Sequence, residues 1–286
     1  MRKILWLDQV ECRKKHSVGG KAANLSFLSA YFPVPYGFCL TTDAFNLLEE
    51  ISTRSIVGGL YQQVEQAYNL LCKHVGVDNV SVAVRSSAIV EDGDTASFAG
   101  QYKTYLNVVG LESVIEAITD CWQAIHNSGT DNYLKYHKMD ERPLEMAVLV
   151  QQMVIADISV VAFSANPLNG SREEILINAN WGLGESIVSG IVTPDTYTVR
   201  KKDFFVVSRH IGEKQIMTIA SSNGTEKISV PRIMRKQAVL DESKIREIAE
   251  TILFLEEVLG YAVDIESVYK GSRLYLLQCR PITSNR

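Results

Sequence analysis

With 286 residues, 46% of them apolar and 22% charged, the chain has an ordinary globular composition and length for one large domain or two closely packed subdomains. A formal net charge of −4 offers no broad attraction to nucleic acid or anionic membrane, so any phosphate ligand must be held by a few placed groups. No run approaches ~18 uninterrupted apolar residues and the apolar opening is too short for a signal peptide. Cys12, Cys39, Cys72, Cys121 and Cys279 are scattered without CxxC spacing, so reduced thiols and a cytoplasmic location are expected, with neither nucleic acid nor membrane as partner.

Gly19-Gly20-Lys21 leads into good helix formers through Leu28, a loop followed by a helix with Lys21 in its first turn. A lysine there is disfavoured by the helix dipole unless an anion joins it, which suggests a phosphate held by Lys21 and backbone donors; a solvated lysine is the plainer alternative. Pro33 and Pro35 stop that helix, Thr41 and Thr42 precede a second, and Leu60 to Lys73 reads as a third, so the opening region is expected to be largely helical. Val80, Val82 and Val84 alternate with Ser81, Ala83 and Arg85, predicting a strand that ends at Arg85. Arg85 suits a phosphate clamp, against the alternative of a surface ion pair with Glu91 or Asp92. The small-residue loop Thr95 to Gly100 could be a flap over a ligand or an ordinary surface loop. Strand character resumes at Thr104, helices are predicted over 111–125 and 132–138, and Met146 to Val154 reads as a buried strand at a subdomain junction.

Further strands are predicted near 159–163, 174–179, 196–200 and 204–208, with a surface loop over 221–227 and an amphipathic helix over 241–259. The glycine-rich Trp181 to Ser186 could be a turn that approaches a nucleotide, but GxG is a weak signal and a structural turn is the plainer reading. Two alternating runs, Val263–Val268 and Leu274–Cys279, flank Gly271 and predict a hairpin. If residues of equal parity pair, Asp264, Glu266, Gln278 and Arg280 project from one face, where Glu266 and Gln278 could supply oxygen ligands to Mg²⁺ or form an internal polar network. No histidine lies in a triad or zinc pattern; surface positions are expected for all five.

In order and wording these segments resemble the nucleotide-binding domain of the phosphoenolpyruvate synthase, pyruvate phosphate dikinase and rifampicin phosphotransferase family over nearly the whole chain. The resemblance is carried by Gly19-Gly20-Lys21-Ala22-Ala23-Asn24-Leu25, Val34-Pro35-Tyr36-Gly37-Phe38, Arg85-Ser86-Ser87-Ala88 and Ala96-Ser97-Phe98-Ala99-Gly100-Gln101 with Thr104. It continues through Gln151, Trp181-Gly182-Leu183-Gly184-Glu185, Pro194-Asp195, Asp264-Ile265-Glu266 and Leu277-Gln278-Cys279-Arg280-Pro281. Val160 and Ser267 stand where the family usually has glycine and tryptophan, and the stretch from Lys21 to Arg85 looks shorter than in typical relatives.

The resemblance implies an α+β, ATP-grasp-like fold with subdomains at 1–148 and 149–286 and the nucleotide in the cleft between them. It assigns Lys21, Arg85, Gly100 and Thr104 to the ATP triphosphate, Gln151 to the base region, Glu266 and Gln278 to Mg²⁺, and Arg280 to phosphate. Lys21, Arg85 and Arg280 are the residues it implies for catalysis. It further implies a phosphotransferase that presents the ATP β-phosphorus to a carrier histidine, with AMP leaving. No histidine here has the carrier's glycine-rich context, so the carrier is expected on a missing domain or a separate protein. A free-standing small-molecule kinase and a non-catalytic nucleotide-sensing module are the alternatives.

Overall fold

The computed structural model describes residues 2–45, 47, 59–89, 103–127, 146–222 and 224–282. The loop expected at 95–100, including Gly100, and the helix expected at 132–138 lie outside the described residues. The fold class is α+β, built on antiparallel sheets. The chain divides into two compact units: Met1–Tyr31 with Pro35–Met153, and Phe32–Val34 with Val154–Arg286. Among the described residues, no helix is long and apolar enough to cross a membrane.

In chain order the first unit holds β1 (Ile4–Trp6), α1 (Lys15–Leu28), β2 (Gly37–Leu40), α2 (Thr42–Phe45), α3 (Leu60–Val75), β3 (Val82–Ala88), β4 (Thr104–Val108), α4 (Leu111–Asn127) and β5 (Met146–Gln152). Its sheet runs β1-β2-β5-β3-β4. The opening region is therefore less helical than expected: β1 and β2 have three and four residues, too few for a period of two to show in sequence. Strand β3 also does not stop at Arg85. It continues through Ser86, Ser87 and Ala88 because these pair with Val148, Ala147 and Met146 of β5, and small hydroxyl side chains are no barrier to a central strand. Helices α3 and α4 cover one face, where Leu60, Val64, Tyr68, Leu71, Val114, Ile118 and Trp122 pack against Val82, Val84 and Val148. Burying each such aliphatic side chain contributes roughly 1.5–3 kcal/mol. The Trp122 indole N–H donates to the Met146 carbonyl at 2.9 Å, so its one polar atom is satisfied inside that core.

The second unit holds β6 (Ile158–Phe163), β7 (Glu174–Trp181), α5 (Glu185–Val188), β8 (Asp195–Arg200), β9 (Val206–His210), β10 (Ile216–Ala220), β11 (Thr225–Ser229), α6 (Glu242–Leu259), β12 (Val263–Lys270) and β13 (Arg273–Pro281). Its main sheet runs β13-β12-β6-β7-β8-β9, every neighbour antiparallel. The expected surface loop at 221–227 is instead the turn and first residues of a β10–β11 hairpin; two half-exposed five-residue strands carry too weak an alternation to be read locally. Helix α6 begins where Asp241 accepts the Lys244 N–H and ends at Gly260, whose φ of 77° closes the last turn. Its stripe of Ile245, Ile248, Ile252 and Leu255 is buried. One sheet face carries Ile265, Val160, Ala162, Ile177 and Tyr197, all buried, and α6 packs on its β12 and β6 strands. The opposite face carries the residues taken up below.

Candidate functional site

In the first unit, α1 is two helical segments broken at Gly19, whose φ is 73°. The break has a packing cause. A Cβ at Gly19 would lie 2.0 Å from the Ser87 carbonyl oxygen, so only glycine lets the chain pass β3 this closely. Ser87 then caps the restarted helix from a distant strand: its hydroxyl donates to the Val18 carbonyl at 2.7 Å and accepts the Ala22 N–H at 3.2 Å. Sequence reasoning missed this role of Ser87, since nothing local links two segments that far apart. Lys21 thus sits in the first turn after the break, and its Nζ donates to the Ser86 carbonyl at 3.2 Å.

Arg85 lies in β3 directly opposite Thr104 of the edge strand β4 and opposite Leu149 of β5. It is buried, 8% exposed, while Thr104 is exposed. Glu91 and Asp92, the ion-pair partners that the sequence offered as the alternative for Arg85, lie outside the described residues. Gln151 shares the same face, because Gln151 and Leu149 pair with Ala83 and Arg85. That face is the one covered by α1, as Ser87 and the Cys39 thiol beside the Val18 carbonyl show. Lys21, Arg85, Thr104 and Gln151, widely separated in sequence, are therefore gathered on one side of one sheet. The helix terminus and two cations make that side favourable to an anion. The Gln151 amide donates to the Pro35 carbonyl at 3.0 Å, which fixes its orientation.

In the second unit, the hairpin pairs Asp264 with Arg280 and Glu266 with Gln278, so all four share one sheet face. A β-bulge makes this possible. On the turn side of the strands Ser267 pairs with Leu276 and Val268 with Tyr275; Leu277 is the extra residue at the shift beside Glu266. Carried on without the bulge, that register would set Glu266 opposite Leu277 and turn Gln278 and Arg280 to the other face. The bulged edge is held from outside, where the Leu276 N–H donates to the Pro33 carbonyl at 2.9 Å and Phe32 packs edge-on against Phe254 of α6 at 5.5 Å. The Arg280 Nε donates to both Asp264 oxygens at 2.9 and 2.8 Å. The Asp264 side chain is 9% exposed and that of Arg280 50%, so a buried carboxylate steadies a half-exposed guanidinium.

A second polar centre went unread in the sequence. Asp195 and Lys214 form a fully enclosed ion pair, both side chains 0% exposed. The Asp195 carboxylate also accepts the N–H groups of Gly212 at 3.0 Å and Val239 at 2.7 Å and the Tyr197 hydroxyl at 3.3 Å. Burial and the neighbouring carboxylate push the Tyr197 phenol up to about 12. The pair clasps the connections that precede β10 and α6 to the start of β8. The glycine-rich turn also has a structural reason, as expected: a Cβ on Gly182 would meet the Thr218 carbonyl at 2.3 Å.

Neither thiols nor imidazoles offer an alternative chemistry among the described residues. All five cysteines are buried, and burial pushes Cys12 and Cys121 up to about 12. His16, His74 and His210 are exposed. No group of three or more His, Cys, Asp or Glu residues suited to a metal occurs among the described residues. A two-oxygen set such as Glu266 with Gln278 fits Mg²⁺, which takes few protein ligands and completes its shell with water and phosphate.

The chain matches the family described as pyruvate phosphate dikinase, AMP/ATP-binding domain, over residues 46–286. It is 36% identical to a probable phosphoenolpyruvate synthase of Methanocaldococcus jannaschii, over 99% of this chain and 27% of that protein. It is 32% identical to the phosphoenolpyruvate synthase of Pyrococcus furiosus, over 99% of this chain and 44% of that protein. A rifampicin phosphotransferase of Streptomyces sviceus is 34% identical over 99% of this chain and 36% of its own length. The chain thus spans less than half the length of these curated relatives. With the family match covering most of its residues, the chain belongs to the pyruvate phosphate dikinase AMP/ATP-binding domain family.

Proposed function

We propose that the chain is the Mg-ATP-binding component of a phosphotransferase, presenting the ATP β-phosphorus to a carrier histidine on another domain or protein, with AMP leaving. The observation that carries this reading is the gathering of Lys21, Arg85, Thr104 and Gln151 on one face of the first sheet, together with the bulge that sets Glu266 opposite Gln278 and Arg280 opposite Asp264 in the second. Asp264 apart, these are the residues that family resemblance assigns to ATP and its Mg²⁺, with Gly100 added from the loop outside the described residues. The two units are read as ATP-grasp subdomains, expected from sequence at 1–148 and 149–286, in a cytoplasmic protein.

In this reading Lys21 and Arg85 bind triphosphate oxygens, Arg85 with the two-toothed contact that a planar guanidinium allows. Arg280, steadied by Asp264, binds a further phosphate oxygen, and Gln151 contacts the base. Glu266 and Gln278 would hold Mg²⁺, which supplies neutralisation of phosphate charge. The protein's contribution is positioning and charge compensation, the terms that dominate phosphoryl transfer. The test is thermal unfolding with Mg-ATP: ligand at 100 times its Kd should stabilise the fold by about 2.7 kcal/mol. Absence of any shift or calorimetric binding at millimolar Mg-ATP would sink the proposal. Incubation with a histidine carrier protein should then release AMP, whereas ADP would identify a free-standing kinase.

A further inference from the structure

The face of the second sheet that bears Glu266 and Gln278 carries a longer polar row. Gln278 pairs with Glu266, Glu266 with Val161, Val161 with Asn178 and Asn178 with Thr196, so these side chains stand in line across five strands. The opposite face is buried, with α6 packed on its β12 and β6 strands, but here Glu266, Val161, Asn178 and Thr196 are only partly buried. A polar residue in the middle strand of such a row needs a reason, because the neighbouring position on the same face of β7, Leu176, is apolar and buried at 4% exposure.

The Thr196 hydroxyl donates to the Asn178 Oδ1 at 2.9 Å. A carboxamide is planar, so an oxygen held on the β8 side turns the NH₂ group away from β8, toward the β6 and β12 side or outward. No described residue is seen to accept from that nitrogen. Asn180, two residues on and on the same face, is different: its nitrogen is bound to Ser186 Oγ at 3.0 Å and the Ile216 carbonyl at 3.3 Å, inside the α5 and β10 cover. One asparagine is spent on the fold and the other is oriented with its donor on the open face.

We infer that Asn178 is a further ligand-contacting residue of the nucleotide site, donating from Nδ2 to a phosphate oxygen of Mg-ATP, and that Thr196 is the positioning residue that turns its amide. The inference rests on the proposed Mg-ATP reading. Asn178 lies two strand spacings from Glu266, about 10 Å between backbones, a gap suited to a metal-bound phosphate between the two side chains. The chemistry selects an anionic oxygen because the amide nitrogen only donates.

The experiment compares Mg-ATP and adenosine binding by calorimetry in the full chain, with unfolding midpoints measured alongside. Asn178→Ala should weaken Mg-ATP by roughly tenfold or more, the effect of one hydrogen bond to a charged oxygen, with adenosine affinity and the midpoint unchanged. Thr196→Val should give a smaller loss, and no added loss in the Asn178→Ala background, since it acts only through that amide. Asn178→Asp should bind more weakly than Asn178→Ala, because a carboxylate repels phosphate; tighter binding by Asn178→Asp would make the position a metal ligand and overturn the donor role. Wild-type Mg-ATP affinity in Asn178→Ala overturns the inference if Glu266→Ala loses affinity. If Glu266→Ala also binds normally, the Mg-ATP site itself fails with it.

Discussion

Two carboxylate–cation pairs are anchored on the main sheet of the second unit, through Asp195 of β8 and Asp264 of β12, and they differ in how far the cation is enclosed. Asp195 and Lys214 are wholly enclosed, and the carboxylate is further engaged by two backbone N–H groups and a phenol. Asp264 is nearly as buried, yet its partner Arg280 is half exposed. A charge enclosed with all its partners is committed to the fold, because removing one partner strands the other in a low dielectric. Arg280 is gripped at its Nε by a buried carboxylate while half of its side chain stays in reach of solvent. The first pair locks loops; the second holds a guanidinium near the surface.

The sharpest way to break this comparison is to remove each carboxylate. Asp195→Ala should cost about 3–5 kcal/mol of stability, the usual penalty for orphaning a buried ion, read from urea unfolding. Asp264→Asn keeps an acceptor for a half-exposed arginine and should cost only about 0.5–1.5 kcal/mol. Equal losses in the two variants would dissolve the distinction between an enclosed and a half-exposed pair.

On the ligand side, Arg85→Lys keeps the charge but loses the planar fork. It should weaken Mg-ATP by about 1.5–3 kcal/mol, one to two decades, while adenosine binding stays as in the wild type. Wild-type ATP affinity in that variant would remove Arg85 from the site.

The smallest expected effect concerns Asp157, a half-exposed residue that ties down the turn of the β12–β13 hairpin. Its carboxylate accepts the Gly271 N–H at 2.7 Å and pairs with Lys270 at 2.9 Å. Those two bonds, the backbone one first, hold its pKa below the usual value. A depressed carboxylate contributes stability that is full above its unfolded pKa and is lost as pH falls through its folded one. Solvent screening keeps the contribution below about 1 kcal/mol. Asp157→Asn should accordingly flatten the acid limb of stability below about pH 4 while leaving neutral-pH ATP affinity unchanged, as acid titration of wild type and variant would reveal.

Helix α6 and the two strands of the closing hairpin were legible locally because each is long and keeps one period: an apolar stripe from Ile245 to Leu255, and alternation from Val263 to Val268. Helix α3 was legible over Leu60 to Lys73, though not its end at Val75, where Gly76 with a φ of 79° closes the last turn. Strands β1, β2, β10 and β11 were not: β1 and β2 have only three and four residues, β2 is buried throughout, and the five-residue β10 and β11 are largely half exposed, so none leaves a periodic signal. The residue types of the site were visible as Lys21, Arg85, Gln151, Glu266, Gln278 and Arg280, and so was the condition under which the last three would share a face with Asp264.

By itself, then, the sequence determined which side chains are available for chemistry, the α+β class and the family. Whether those side chains meet was decided by tertiary structure. Parity across the hairpin depends on one extra residue, Leu277, whose neighbour Leu276 is braced by the Pro33 carbonyl from a segment far away in the chain. The helix carrying Lys21 starts where it does because Ser87 enters its break from β3. Lys214 is buried because Asp195 is there to receive it. Each is a contact between residues distant in sequence, and no local pattern of hydrophobicity, charge or glycine encodes its partner.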